Sequence, residues 1–194
     1  MSARLPRLLP RQAGAALIEV LVSILIVSFG VLALAGLQTK MNAALLESFQ
    51  RAQALTLLED MTQRMQANQN MSANYVVASV GTGDSPPADC STLTTRHEQD
   101  RCEWSHALKG ASVTSSGENV GAMTGARGCI EQLQAPNPAA GMCQPGIYRV
   151  TVAWQGFNGT VAPAVSCGTG EYGDDDSFRK AVSARVVIPL PGCS

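Results

Sequence analysis

Five residues combine side-chain type and position in ways that could support chemistry. Glu19 is a lone carboxylate near the start of a long apolar run, where a charge is costly and by default indicates a specific partner. His97 and His106 flank Cys102, and Cys90 lies shortly before them. Imidazole nitrogens and thiolates bind zinc, but this spacing matches no standard zinc pattern. We therefore interpret the two histidines as solvated groups beside a disulfide.

An acidic run at residues 174–176, with Glu171 shortly before it, could offer carboxylate oxygens to calcium. The spaced ligands of a calcium loop are absent, so the sequence favours a solvated acidic turn between strands. We expect no metal and no other cofactor. A GxSxG motif is also absent, and paired cysteines are not free thiols, so we expect no catalytic residue and no enzyme.

Length and charge limit the classes of partner. The 194 residues are enough for one ordinary domain with an appendage. Charged residues make up 15% of the chain and the formal net charge is −1, so no nucleic-acid partner is predicted. The basic residues of the C-terminal half are scattered in the sequence: Arg127, Arg149, Arg179, Lys180 and Arg185.

The six cysteines all follow the apolar N-terminal region. An even number of cysteines in a loop-rich region, after a membrane-targeting start, predicts a disulfide framework formed in an oxidising compartment such as the periplasm. Fifteen connectivities are possible, and short loops between sequential partners favour the one with three particular pairs. These are Cys90–Cys102, Cys129–Cys143 and Cys167–Cys193.

The first forty residues read as a membrane segment with a cytoplasmic flank. Arg4, Arg7 and Arg11 carry positive charge with no acidic residue among residues 1–12. Residues 13–37 are almost wholly apolar, and a helix of that length crosses the roughly 30 Å hydrocarbon core once. Small residues precede the apolar run, whereas an ordinary signal peptide places them after it.

The stretch Gly14-Ala-Ala-Leu-Ile-Glu19 and the apolar run behind it resemble the class III signal of type IV prepilins and type II secretion pseudopilins. The resemblance implies that a prepilin peptidase removes residues 1–14 by cutting between Gly14 and Ala15, which leaves 194 − 14 = 180 residues. It implies that Glu19 pairs with the N-terminal amine of a neighbouring subunit and sets the register of assembly. It also implies N-methylation at Ala15, although most members carry an aromatic residue or Met there.

The apolar helix is predicted to continue to about Asn70, because no Pro or Gly occurs between Leu37 and Asn70. We assign residues 15–38 to the membrane and filament core, and 39–70 to a periplasmic half. Two apolar stripes lie nearly opposite each other on this half. We expect the first to pack on other subunits and the second on the chain's own head, although a gently wrapped helix could place both on one domain. The first is Met41, Leu45, Phe49 and Ala52, and the second is Ala54, Leu57, Leu58, Met61 and Met65.

Residues 71–194 are predicted to form an α+β head braced by disulfides, with a three- or four-stranded antiparallel sheet lying on the long helix. Alternation of apolar and polar residues predicts strands at Ile147–Gln155 and Ala181–Ile188, and a third strand near Gly128–Leu133. A short helix is expected near Glu98–Lys109. Breaker-rich composition predicts loops at 71–89, 110–128 and 133–146.

Three further stretches resemble PilV-type minor pilins of the type IV pilus: residues 30–38, 59–68 and 148–156. The resemblance implies a low-abundance subunit, stored in the inner membrane with a periplasmic head, that initiates pilus assembly in a tip complex with other minor pilins. The implied partners are the major pilin, prepilin peptidase, the inner-membrane assembly machinery, a tip adhesin, and membrane lipid before assembly. A type II secretion pseudopilin and, from another class, a membrane-anchored periplasmic enzyme are the alternatives.

Overall fold

The computed structural model describes residues 15–111, 114–115, 118–119, 123–139 and 141–190. The chain divides into two units, Met1–Leu45 and Leu46–Ser194. A single helix, α1, covers Ala15–Ala67 and belongs in part to each unit. The leader expected at residues 1–14 lies outside the described residues.

The first unit consists, in its described part, of the N-terminal portion of α1. Its side chains from Leu17 to Met41 are exposed, and most of them are apolar. Each of its hydroxyl groups bonds to the carbonyl oxygen four residues back, as Ser23 Oγ does to Glu19 O at 2.7 Å, so these hydroxyl groups are satisfied within the helix. By length and composition, α1 is the one helix among the described residues that could cross a membrane.

The second unit is an α+β head. It contains a four-stranded antiparallel sheet with the strand order β1-β4-β5-β6. A separate two-stranded ribbon pairs β2 with β3. The elements after α1 are a 3₁₀ segment Gln69–Tyr75, β1 Val77–Gly81, a 3₁₀ turn Cys90–Thr92, α2 Arg96–Leu108, β2 Thr114–Ser115, β3 Glu118–Asn119, β4 Arg127–Gln134, β5 Gly146–Gln155 and β6 Arg179–Ile188.

The register of the sheet assigns its residues to two faces. Ile130 of β4 pairs with Val150 of β5, which pairs with Ala184 of β6, and all three belong to the face that packs against the core. The opposite face carries the neighbouring residues of each strand, because successive side chains alternate across a sheet. The row Glu131, Arg149 and Arg185 lies on that outer face.

The core of the head lies between the sheet and helices α1 and α2. Trp104 of α2 is fully buried, and its indole Nε1 donates to Leu57 O of α1 at 2.9 Å. Gly128 of β4 permits this packing, since a Cβ there would lie 2.3 Å from the Trp104 ring. The largest fully buried side chains include Trp104, Tyr75, Tyr148, Met61, Met65 and Leu108.

The predicted elements differ from the structure mainly at short segments. The helix ends at Ala67 rather than near Asn70, and the chain continues as a 3₁₀ segment. The loop expected at 71–89 contains β1, and the loop expected at 110–128 contains the β2–β3 ribbon and the start of β4. Strand β1 has a register irregularity between Val77 and Val80, which breaks the alternation that identifies a strand in a sequence.

One expected disulfide is present in the structure, and the other two expected pairs are wrong. Cys90 is bonded to Cys102, as expected. Cys129 is bonded to Cys167, so the expected pairs Cys129–Cys143 and Cys167–Cys193 are wrong. The 38-residue separation is closed because Cys129 lies on the outer face of β4, where the segment carrying Cys167 crosses the sheet. Cys143 is also disulfide-bonded, and Cys193 lies outside the described residues.

Candidate functional site

The candidate site is the surface of α1, which has a buried stripe and an exposed stripe. The buried stripe is fully enclosed at Ala54, Met61 and Met65, and Leu58 is nearly so. These residues recur every three or four positions, which places them on one side of the helix. The head therefore covers this side of α1, as the sequence predicts.

The exposed stripe consists of Met41, Leu45, Phe49 and Ala52. Phe49 keeps 64% of its surface exposed, and Met41 and Leu45 are also more than half exposed. Phe49 and Ala52 belong to the same unit as the head and are exposed, so the head does not cover this part of the stripe. Apolar side chains this exposed, repeated along one helix face, form a surface suited to another apolar surface.

Glu19 belongs to the first unit and is exposed in the isolated chain. Within the described part of the chain, no basic side chain forms an ion pair with it. A carboxylate in an apolar environment is stable only when it is paired or neutralised, so the sequence expectation of a partner for Glu19 stays a prediction. Gly14 of the predicted cleavage site lies outside the described residues, and Ala15 is the first residue of α1.

A group of charged residues fixes α1 to α2 at the distal end of the helix. Asp100, only 1% exposed, accepts hydrogen bonds from Arg64 and Arg96 at 3.0 Å each and from the Tyr75 hydroxyl at 2.5 Å. Arg64 also pairs with Asp60 and Glu103. Burial lowers the pKa of Arg64, but its hydrogen bonds to Glu103 and Asp100 outweigh burial and raise the pKa above its ordinary value.

A long connection from β5 to β6 lies over the outer face of the sheet and also reaches α1. Asn158 donates from its backbone N and from Nδ2 to Glu47 Oε1, at 3.0 and 3.1 Å. The guanidinium of Arg179, almost fully buried, donates to the carbonyl oxygens of Pro163, Val165 and Cys167. Sequence reasoning missed Arg179 because a single basic residue at the start of a strand gives no signal of burial.

The acidic run at residues 174–176 belongs to this connection. Both carboxylate oxygens of Asp176 accept from the Gly170 backbone N, at 3.0 and 2.9 Å, and Asp176 also pairs with Arg179. Asp175 accepts from the Ser177 backbone N, and this hydrogen bond lowers the pKa of the Asp175 carboxyl. Glu171 pairs with Arg127. Asp174 and Asp175 are exposed, as expected for a solvated acidic turn, whereas Asp176 is buried and helps to hold the connection in place, so the expectation is wrong for Asp176.

The histidine and cysteine candidates separate into two environments. One imidazole nitrogen of His106 and the sulfur atoms of Cys90 and Cys102 lie within 4.8 Å of one another. His97 instead packs edge-on against Tyr75, with the ring centroids 6.1 Å apart. The structure therefore brings three of the four candidate ligands together, as a histidine beside a disulfide.

No protein-family model, curated protein or solved structure matches this chain. The geometry of the chain itself therefore carries the functional argument. Its main features are Glu19, which forms no ion pair among the described residues, the exposed stripe on α1, and a head attached to the buried stripe of the same helix.

Proposed function

We propose that this chain is a minor pilin of a type IV pilus, which is stored in the inner membrane and then incorporated into the filament. The observation that carries the proposal is the division of α1. One face is buried by the head, while the exposed stripe and the apolar residues before it have no cover within the described chain. The apolar surface of such a helix must be covered by lipid before assembly and by other helices afterwards.

The physical requirements of assembly support this function. Apolar side chains that leave a membrane must remain out of water, which the α1 helices of neighbouring subunits achieve by packing side by side. Glu19 would be expensive to bury alone in such a bundle. The free amine that follows cleavage after Gly14 supplies the opposite charge, so a correctly placed neighbour is favoured over a shifted one.

The role of initiator rests on the resemblance to PilV-type minor pilins at residues 30–38, 59–68 and 148–156. In this role the head contacts other minor pilins, the major pilin and a tip adhesin, while the inner-membrane machinery extracts the helix. The disulfide-braced connection over the sheet suits the head to the oxidising space outside the cytoplasm.

The first experiment determines the N-terminus of the chain purified from its own cells. Intact-mass measurement and N-terminal peptide mapping are expected to find Ala15 as the first residue and a chain of 180 residues, from 194 − 14. A chain that retains residues 1–14, or one cut after the apolar run, would remove the basis of the filament proposal.

A second experiment separates the pilus from type II secretion. Deleting the gene is expected to abolish surface pili seen by electron microscopy, while exoprotein secretion stays normal and a plasmid copy restores pili. Lost secretion with normal piliation would assign the chain to the secretion pseudopilins.

A further inference from the structure

Asn158 lies in the connection between β5 and β6 and is followed by Gly159. The chain has seven asparagines, and Asn158 is the one that precedes a glycine. Both residues are exposed. A glycine has no Cβ to shield its backbone N, so that nitrogen can approach the side-chain carbonyl carbon of the residue before it. The pair therefore has the arrangement needed for an intramolecular attack on the Asn158 amide.

The backbone N of Gly159 is available for this attack. The backbone N atoms on either side of it are engaged, since Asn158 N donates to Glu47 Oε1 at 3.0 Å and Thr160 N donates to Ser177 O at 2.7 Å. Among the described residues, no backbone carbonyl accepts a hydrogen bond from Gly159 N. The attack by this nitrogen therefore breaks no backbone hydrogen bond within the described part of the chain.

The side-chain amide of Asn158 is held by α1. Its Nδ2 donates to Glu47 Oε1 at 3.1 Å, and the same oxygen accepts from the Asn158 backbone N. An aspartate in this position would have no donor in place of Nδ2 and would bring a second negative charge to Glu47. The side-chain contact between the connection and α1 therefore depends on an intact amide.

We propose that Asn158 is a site of deamidation, and that the reaction releases the bend at residues 156–160 from α1. Glu47 slows the first step, because the amide must leave this carboxylate before it turns toward Gly159. The product cannot restore the contact, so the release is one-way. This modification site is independent of the proposed filament function.

The reaction proceeds through a cyclic imide. Gly159 N gives its proton to hydroxide and forms a bond with Asn158 Cγ, while the bond from Cγ to Nδ2 breaks and Nδ2 takes a proton from water and leaves as ammonia. Water then opens the imide at Cγ, which leaves aspartate, or at the backbone carbonyl carbon, which leaves isoaspartate. The net change is one water consumed and one ammonia released.

The test incubates the full chain in detergent micelles at mildly alkaline pH and maps its peptides by mass spectrometry over time. Deamidation exchanges NH for O in the formula of the residue, and an isoaspartyl methyltransferase labels the isoaspartate product. Asn158 is expected to convert before the other six asparagines. Conversion of another asparagine first, or none at Asn158, would overturn the proposal.

Gly159→Ala is the variant that tests the attack. Its Cβ would lie 3.5 Å from Ser177 Oγ, which is an ordinary contact, and Gly159 does not have a left-handed φ, so the fold accepts alanine. The methyl group crowds the attacking nitrogen, and we expect deamidation to slow by at least about tenfold, which corresponds to 1.4 kcal/mol in the barrier. Equal rates in the two proteins would show that Gly159 N does not attack.

Glu47→Ala tests the hold on the amide. Loss of a hydrogen bond to a charged group should speed deamidation by about tenfold, or 1.4 kcal/mol. Glu59→Ala is the matched control, because Glu59 is an exposed carboxylate of the same helix that bonds to Gln63 instead, and it should leave the rate unchanged. Equal rates in the two variants would contradict the role of Glu47.

Hydrogen exchange of residues 156–160 measures the release itself. Asn158→Asp reproduces one product and is expected to exchange faster over this bend than the unmodified chain. Asn137→Asp is the control, because Asn137 Oδ1 accepts from Ala139 N at 3.0 Å and a carboxylate oxygen accepts equally well. Unchanged exchange in Asn158→Asp would overturn the release from α1.

Discussion

Helix α1 meets two different environments along its length. Between Leu46 and Ala67 one side of it is enclosed by the head and the other side is exposed, whereas from Leu17 to Met41 its side chains are exposed. The first arrangement is that of an amphipathic helix in a soluble domain. The second is an exposed apolar surface. The two regions therefore differ in their surroundings: the head covers one side of the distal part, while the proximal part has the length and composition of a membrane span.

The largest effect should come from removing a side chain of the buried stripe. Met61→Ala is expected to destabilise the head by about 2–5 kcal/mol, because Met61 is fully enclosed and its removal leaves a cavity. Phe49→Ala, from the exposed stripe, should change the free energy of unfolding by less than about 0.5 kcal/mol. Urea unfolding of the full chain in detergent, followed by tryptophan fluorescence, measures both. Equal losses would mean that the head covers both stripes in solution.

The charged group at the distal end of α1 should have the next largest effect. Asp100→Asn keeps the shape of the side chain but removes the charge that Arg64 and Arg96 share, so we expect a loss of about 1–3 kcal/mol. Asp174→Asn is the matched control, since Asp174 is exposed, and it should change stability by less than about 0.5 kcal/mol. If the two variants unfold at the same urea concentration, the group does not fix α1 to α2.

A smaller loss of stability is expected at alkaline pH, and it should be confined to the head. Burial raises the pKa of Tyr75 to about 12, helped by the hydrogen bond to Asp100, and burial likewise raises the pKa of Tyr172 to about 12. An unfolded tyrosine titrates near a pKa of about 10. Between these two pKa values the folded head therefore keeps two protons that the unfolded chain releases. The contribution of these two groups to the free energy of unfolding is complete below pH 10 and is lost as the pH rises through 12.

Tyr75→Phe tests this linkage. The urea midpoint of the unmodified chain should fall between pH 10 and pH 11.5, and the variant should fall less steeply over the same interval, since one of the two linked groups is missing. Parallel pH profiles for the two proteins would show that Tyr75 ionises equally in both states.

The sequence predicts a helix or strand reliably when its pattern of apolar and polar residues is long. Helix α1 and strands β5 and β6 are recognised because their patterns persist over many residues without a break. Strand β1 is missed because it has five residues and an irregular register. The pair Cys129–Cys167 is missed because sequence spacing does not show which segment crosses the outer face of β4.

Some features of the candidate site can likewise be predicted from the sequence, and others cannot. The buried and exposed stripes of α1 follow from helical periodicity, so the sequence predicts both. The buried Arg179 and the contact of Asn158 with Glu47 do not, because they depend on the path of a connection that has no repeating pattern. The closeness of His106 to the disulfide likewise requires the fold.

The most direct test of the proposed filament function changes Glu19 to Gln, which keeps the size of the side chain and removes its charge. Sheared pili and the membrane fraction are then compared by immunoblot with those of the unmodified strain. We expect the membrane to contain the usual amount of the variant, and the sheared pili to contain at least about tenfold less, the factor that corresponds to 1.4 kcal/mol of lost pairing. Equal incorporation of the two proteins into pili would contradict a role for Glu19 in assembly.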